Sequence, residues 1–174
     1  VLYPSIKKPS RLNKKKQKKI IFSGKLNSSK GYDIFGAAII KILNKYNDWS
    51  SVVAGNEPRE KFNFSHKNLK IHNWLKHKQI LNLYDKSSIS VVPSKWEEPF
   101  GRTAMESAAY GCATITSSRG GLVETFNNKL ILKKLTSKEI YKMLIRLINN
   151  RSLLKKHQYE NFSNVIHKIE DLVI

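Results

Sequence analysis

Acidic residues are scarce in this 174-residue sequence: 13 Asp and Glu stand against 32 Lys and Arg, a formal net charge of +19. Cysteine is scarcer still. The single Cys112 excludes an internal disulfide framework and makes a reducing compartment, the cytoplasm, the expected setting. Placed between a helix and a strand, it reads as a small buried apolar residue. No apolar run approaches the roughly 20 residues that span a bilayer. Val1-Leu2-Tyr3-Pro4 has neither the charged start nor the apolar core of a secretion signal, and the missing initiator methionine fits a piece of a longer chain. No repeat of fixed period is present. His66, His72 and His77 fall in one stretch, yet no Cys or paired acidic ligand accompanies them at a metal-binding spacing, so no metal is expected.

What the chain does have is lysine, spread along its whole length among many Asn and Ile. That distribution reads first as a solvated surface. An anionic membrane surface is the sharper alternative, where clustered lysines each add about 1 kcal/mol. Specific nucleic-acid binding is not expected, because aromatic and basic residues do not interleave on a strand. Residues 1–18, with two prolines and the run from Lys14, form a basic linker that repels itself and packs poorly. Residues 19–174 form the folded domain, long enough for a real core.

Within that domain, strands alternate with helices. Ile20–Ser23 reads as a buried strand, followed by Gly24, a lysine loop and a helix from about Tyr32 to Tyr46 with Ile34, Ala37, Ala38, Ile42 and Leu43 on one side. Ser51–Gly55 and Leu69–His72 are the next strands, joined by a polar loop from Asn56 to Asn68. A short amphipathic helix, Lys78–Lys86, carries Ile80, Leu81 and Tyr84. Strands are expected again at Ile89–Ser94, Ala113–Thr116 and Leu130–Leu132. Thr136 and Glu139 have the spacing of a capping box before a helix to Ile148 that buries Ile140, Leu144, Ile145 and Leu147. Asn149-Asn150 ends it, and a last helix runs from Arg151 to Ile169. The expected fold class is α/β: a Rossmann-like, doubly wound, mostly parallel sheet with helices on both faces.

The chemistry concentrates in Trp96–Gly111. Pro99 and Gly101 make its first half bend, and Arg102–Tyr110 is rich in helix formers. Glu98 stands in the bend and Glu106 lies eight positions on, inside the helix. Between them the first helical amides lack internal acceptors and carry the positive end of the helix dipole. An anion held at the helix tip beside two carboxylates that accept from hydroxyls describes a sugar nucleotide. Ligands of open α/β sheets bind beyond the carboxyl ends of strands, which puts the Gly24 loop and Glu98 on one side.

This stretch resembles the Glu-x7-Glu signature of the retaining family 4 (group 1) glycosyltransferases, with Glu98, Pro99-Phe100-Gly101 and Glu106 in register. Gly24-Lys25-Leu26-Asn27-Ser28-Ser29-Lys30-Gly31 resembles the family's upstream lysine loop, and Gly120-Gly121-Leu122-Val123-Glu124 its downstream glycine loop. Val123 replaces the usual proline, and Lys25 stands where arginine is preferred, so its contact would be one-pronged. Glu124 otherwise reads as the amino-terminal residue of a helix.

The resemblance implies two Rossmann-like domains facing across a cleft, the GT-B architecture. This chain would be the carboxyl-terminal donor half, without the amino-terminal acceptor domain, and would be inactive alone. It implies a hexosyltransferase of polysaccharide biosynthesis that moves a sugar from a nucleoside diphosphate sugar to a glycan or lipid-linked hydroxyl, with retention and no bound cofactor. Lys30 and Glu98 are the implied catalytic pair. Substrate binding falls to Gly24, Lys25, Lys30, Trp74, Leu75, Glu98, Phe100, Gly101, Arg102, Thr103 and Glu106. Of these, Lys25, Lys30 and the amides of Gly101–Thr103 would neutralise the diphosphate, Glu98 would hold sugar hydroxyls and Glu106 the ribose hydroxyls. Trp74-Leu75 would pass the base, although Trp74 suits a core role equally well. A covalent role for Glu98, as in glycosidase carboxylate pairs, is less called for because the leaving group is already a stable diphosphate. The other classes that fit are a non-catalytic nucleotide-sugar-binding or scaffold domain and, less well, a basic nucleic-acid-binding protein.

Overall fold

A computed structural model of the chain describes residues 6, 9–124 and 129–171, with side chains to 165. Five strands, β1 (Gln17–Ser23), β2 (Ser50–Ala54), β3 (Leu69–His72), β4 (Ser87–Val92) and β5 (Ala113–Thr116), form one parallel sheet in the order β3-β2-β1-β4-β5. The register aligns Ile21 with Val52 on one side and with Ser90 on the other. β1 is central because its apolar run is buried on both faces, Ile20 and Phe22 pointing one way and Ile21 the other.

One face packs against α1 (Tyr32–Lys45) and α4 (Ser137–Asn149), where Phe35, Ile39, Ile42, Ile140 and Leu144 meet Ile20, Phe22, Ile89 and Ile115. The other carries α2 (His77–Lys86), α3 (Arg102–Ala109) and α5 (Arg151–Asp171). Each such fully buried side chain contributes on the order of 1.5–3 kcal/mol relative to exposure. The α/β class and the helices on both faces are as the sequence implied.

The differences have physical causes. Leu130–Leu132 makes only a bridge between Ile131 and Thr116, flanked by hydrogen bonds from Thr116 N to Leu130 O at 3.0 Å and from Leu132 N to Thr116 O at 2.8 Å. It is a short apposition and not the expected strand. The buried side of α1 is turned toward Phe35 and Ile39, with Ile34 and Ala37 only partly covered, because α1 packs on α4 as well as on the sheet. The loop from Asn56 to Asn68 is not simply polar: Phe62 and Phe64 meet the Tyr32 ring edge-on, with centroids 5.8 and 5.6 Å away. Thr136 does cap α4, accepting from Glu139 N at 3.2 Å, and Cys112 is buried.

The lysine run is tied down rather than loose from Asn13 onward. Lys16 Nζ donates to Tyr84 O at 2.9 Å, Asp85 O at 2.8 Å and Tyr110 O at 2.7 Å, the open carbonyls at the ends of α2 and α3. One ammonium thus caps two helix termini, where cations are favoured. Burial holds its pKa below the ordinary lysine value. Gln17–Lys19 already belong to β1, three residues earlier than the apolar run suggested. The stretch Val1–Pro4 lies outside the described residues.

Candidate functional site

β1 and β4 are neighbours whose onward connections leave in opposite directions, β1 toward β2 and β4 toward β5. Such a switch point opens a crevice beyond the carboxyl ends of the two strands. The loop after β1 is braced from several sides. Asn27 Oδ1 accepts from Lys30 N at 3.0 Å and from Ser29 Oγ at 2.9 Å, which closes a 3-10 turn over Ser28–Lys30. Glu60 accepts from Ser28 N at 2.9 Å. The buried Glu57 accepts from Asn27 Nδ2 at 3.3 Å, and the Arg59 guanidinium, donating at 2.8 Å, holds its carboxyl down to about 2. Gly31 has φ 73°, and a Cβ there would lie 2.2 Å from Pro93 O, so the lysine loop lies directly against the chain leaving β4. Lys95 N and Trp96 N donate to Ser29 O at 2.8 and 3.1 Å, and Lys95 Nζ pairs with Asp33 at 2.6 Å.

The third glycine motif serves the second. Gly121 N donates to Glu98 O at 2.6 Å. A Cβ at Gly120 would stand 2.3 Å from Glu98 O, and one at Gly121 2.7 Å from Pro99 O. The paired glycines are therefore the floor on which the Glu98 bend rests. Glu124 closes that 3-10 turn (Gly120–Val123), where the sequence reading gave it the start of a helix.

The charged side chains converge on this frame. Lys30 Nζ meets Glu98 Oε1 at 2.6 Å across the crevice. Glu106, 5% exposed, receives Arg102 Nε and His77 Nε2 on the same oxygen, Oε1, each at 2.8 Å. Two small hollows adjoin. One of about 60 Å³ is lined by Lys30, Glu98 and Thr103, and one of about 240 Å³ by Trp74, Leu75, His77, Tyr84 and Glu106. Ser23, Gly24 and Thr103 line both, so the hollow beside Lys30 and the hollow beside Glu106 share a wall on the same side of the sheet. The amides of Arg102 and Thr103 precede the first bond of α3, which runs from Ala104 N to Gly101 O. Larger hollows of about 1100 and 550 Å³ lie beneath the amino-terminal segment and at the strands' amino ends. They are lined by lysines away from the three motifs.

Most of the residues implied by the sequence therefore meet here. Gly101 caps α3 with φ 75°, and Phe100 packs on the α3 apolar cluster. Trp74 is 66% exposed at the rim and takes no core role. Arg102 is turned onto Glu106, and Lys25 is exposed and lines neither hollow. Two contributors were not legible as such. His77, weighed only as a metal ligand, sits on Glu106, and Tyr84, read as a helix-face apolar residue, bonds its hydroxyl to Ser23 Oγ beneath the crevice. No spacing rule ties His77 to a glutamate 29 positions away, so only the fold brings them together. Among the described residues no cluster of three or more His, Cys, Asp or Glu is arranged to hold a metal ion.

An open parallel sheet with a lysine loop, a helix tip and two carboxylates at its switch point defines a Rossmann-like domain of the GT-B type. The family described as glycosyl transferases group 1 matches residues 5–164, and the chain belongs to it. The carboxyl-terminal domain of a glycosyl transferase group 1 family protein, LpcC of Francisella tularensis, superposes with a TM-score of 0.75 at 26% identity, covering 86% of this chain and 84% of that one. An uncharacterized glycosyltransferase of Methanocaldococcus jannaschii is 28% identical over 124 residues, 66% of this chain and 30% of that protein. Spore coat protein SA of Bacillus subtilis is 30% identical over 118 residues, 60% of this chain and 31% of its own length. The chain thus spans about 30% of the length of these curated relatives. HepE of Anabaena, solved with UDP-glucose, shares the fold at a TM-score of 0.71 and 14% identity, covering 90% of this chain and 47% of that one.

Proposed function

We propose that this chain is the donor-binding half of a retaining, family 4-type glycosyltransferase. It moves a hexosyl group from a nucleoside diphosphate sugar to a hydroxyl of a glycan or lipid-linked acceptor, without a bound cofactor. The acceptor site belongs to an amino-terminal domain across the cleft. The observation that carries the reading is the pair of adjoining hollows that meet at Ser23, Gly24 and Thr103, with Lys30 and Glu98 on one and Glu106 on the other. Two neighbours in fold support it: HepE, solved in complex with UDP-glucose, and a trehalose-6-phosphate synthase, an enzyme of glycosyl transfer with retention.

In this reading the diphosphate lies against Lys30 and the amides of Arg102 and Thr103, charges fixed before the reaction begins. Glu98 accepts from hydroxyls of the donor sugar, Glu106 from the ribose, and Trp74 offers its exposed ring to the base. The bond from the anomeric carbon to the diphosphate oxygen breaks and the electron pair leaves with the diphosphate. The acceptor oxygen bonds on the same face, and its proton passes to the departing phosphate oxygen. The setting is the cytoplasm and the pathway polysaccharide synthesis; the net charge of +19 serves first as a solvated surface, with attachment to an anionic membrane as the alternative. Among the described residues no helix is long and apolar enough to cross a membrane.

A thermal-shift screen of the chain against UDP, GDP, ADP, CDP and their sugars tests the reading. A ligand that binds only the folded state raises the transition temperature with the logarithm of its excess. At least one diphosphate should do so; no shift with any of them overturns the donor-site reading.

A further inference from the structure

Both donors to Glu106 reach the same oxygen. Arg102 Nε comes from one turn earlier on α3 and His77 Nε2 from the first residue of α2, each 2.8 Å from Oε1. A carboxylate oxygen has two acceptor sites, so these two donors saturate Oε1. An ionised carboxylate only accepts, which places the imidazole proton on Nε2. Among the described residues nothing donates to Oε2. Glu106 is 5% exposed, so its rotamer is set by packing and by this pair of clamps, and the hollow beside it is shared with Trp74, Gly24 and Tyr84. The result is a fixed carboxylate with one satisfied oxygen and one open oxygen at a site sized for a nucleoside.

We infer that His77 and Arg102 are positioning residues that present Glu106 Oε2 to a vicinal diol, and that they make the site selective for ribonucleoside diphosphate donors over 2′-deoxy ones, thymidine diphosphate sugars included. The inference rests on the donor-site reading above. Two hydroxyls fill the two acceptor sites of Oε2. A 2′-deoxy sugar fills one and leaves a nearly buried charged acceptor short of a donor. Sites built to bond a hydroxyl reject analogues that lack it. His77 holds from outside α3, so it fixes the carboxylate against rotation in a way that Arg102, on the same helix, does not.

The test is calorimetry on the whole chain with UDP, ADP and GDP, each against its 2′-deoxy counterpart, and with inorganic pyrophosphate. The chain should bind its preferred ribonucleotide about tenfold or more tightly than the deoxy form, the scale of one hydrogen bond to a charged group. His77→Ala should bring that ratio toward one while leaving pyrophosphate affinity unchanged. His77→Gln, whose amide still donates, should keep most of the ratio. A chain that does not discriminate, or a His77→Ala variant that discriminates as well as the parent, overturns the inference and leaves the donor site standing. If none of the nucleotides binds, the donor-site reading falls and this inference with it.

Discussion

At the scale of single residues, the site separates into groups that should fail differently. Glu106→Ala removes the carboxylate expected to hold the ribose. Nucleoside diphosphate affinity should fall about tenfold to hundredfold, the range for hydrogen bonds to charged groups, with the circular dichroism spectrum unchanged. Calorimetry reads this directly, and unaltered affinity would take Glu106 out of the site. Lys30→Ala should weaken pyrophosphate and nucleoside diphosphate by similar factors and spare the free nucleoside, because Lys30 lines the hollow beside Glu98 and not the one beside Trp74. Equal losses for diphosphate and nucleoside would contradict a phosphate role. Lys30, Glu98 and Glu106 could be picked out from the chain because glycine and proline neighbours give them a recognisable spacing. His77 has no such frame. Its contact depends on how α2 and α3 lie side by side, which no local pattern records.

Secondary-structure elements show the same division. β1, β2, β4 and β5 are legible as apolar β-branched runs, and α4 from its cap. The Leu130–Leu132 run carries the same local signal yet meets β5 only at Thr116, its last residue, because a local apolar pattern records strand propensity and not how far the run lies beside a neighbour. Lys16 was unreadable for the opposite reason, because it looks like its neighbours and only the ends of α2 and α3 give it a role. Lys16→Met should take the side-chain donor from Tyr110 O, while Asp85 O keeps Asn13 Nδ2 and Tyr84 O keeps Cys112 Sγ, and should lower stability by about 1–2 kcal/mol in urea unfolding, whereas Lys14→Met and Lys15→Met should change little. On α5, burial lowers the His157 pKa below its ordinary 6.5, helped by Arg146, Lys156 and Lys129 and opposed by Glu160. As pH falls through 6.5, the unfolded chain takes up this proton before the folded one. Stability is therefore present at neutral pH and lost on acidification. Melting temperatures measured between about pH 7 and pH 5 should decline, and His157→Gln should flatten that decline.

For the whole molecule, the sequence carried the class of fold and the end of the sheet at which the three motif loops gather. It did not carry how those loops hold one another. Ser29 receives the amides of Lys95 and Trp96, Gly31 leaves room for Pro93, and Gly121 grips Glu98 from below. Each loop has contacts of its own, such as Asn27 on Lys30 N, but each is also held by a neighbour. A Gly120→Ala variant therefore acts at a distance: its methyl meets the Glu98 backbone, and affinity for a nucleoside diphosphate sugar should drop more than affinity for the bare diphosphate, a contrast that paired titrations expose. The same interlock bears on how such a domain can diverge. A segment exchanged with a relative brings the wrong mating surface for the two that stay behind. Chimeras carrying a single foreign loop should lose ligand, and those carrying all three together should regain it, so that the heritable unit of specificity is the trio.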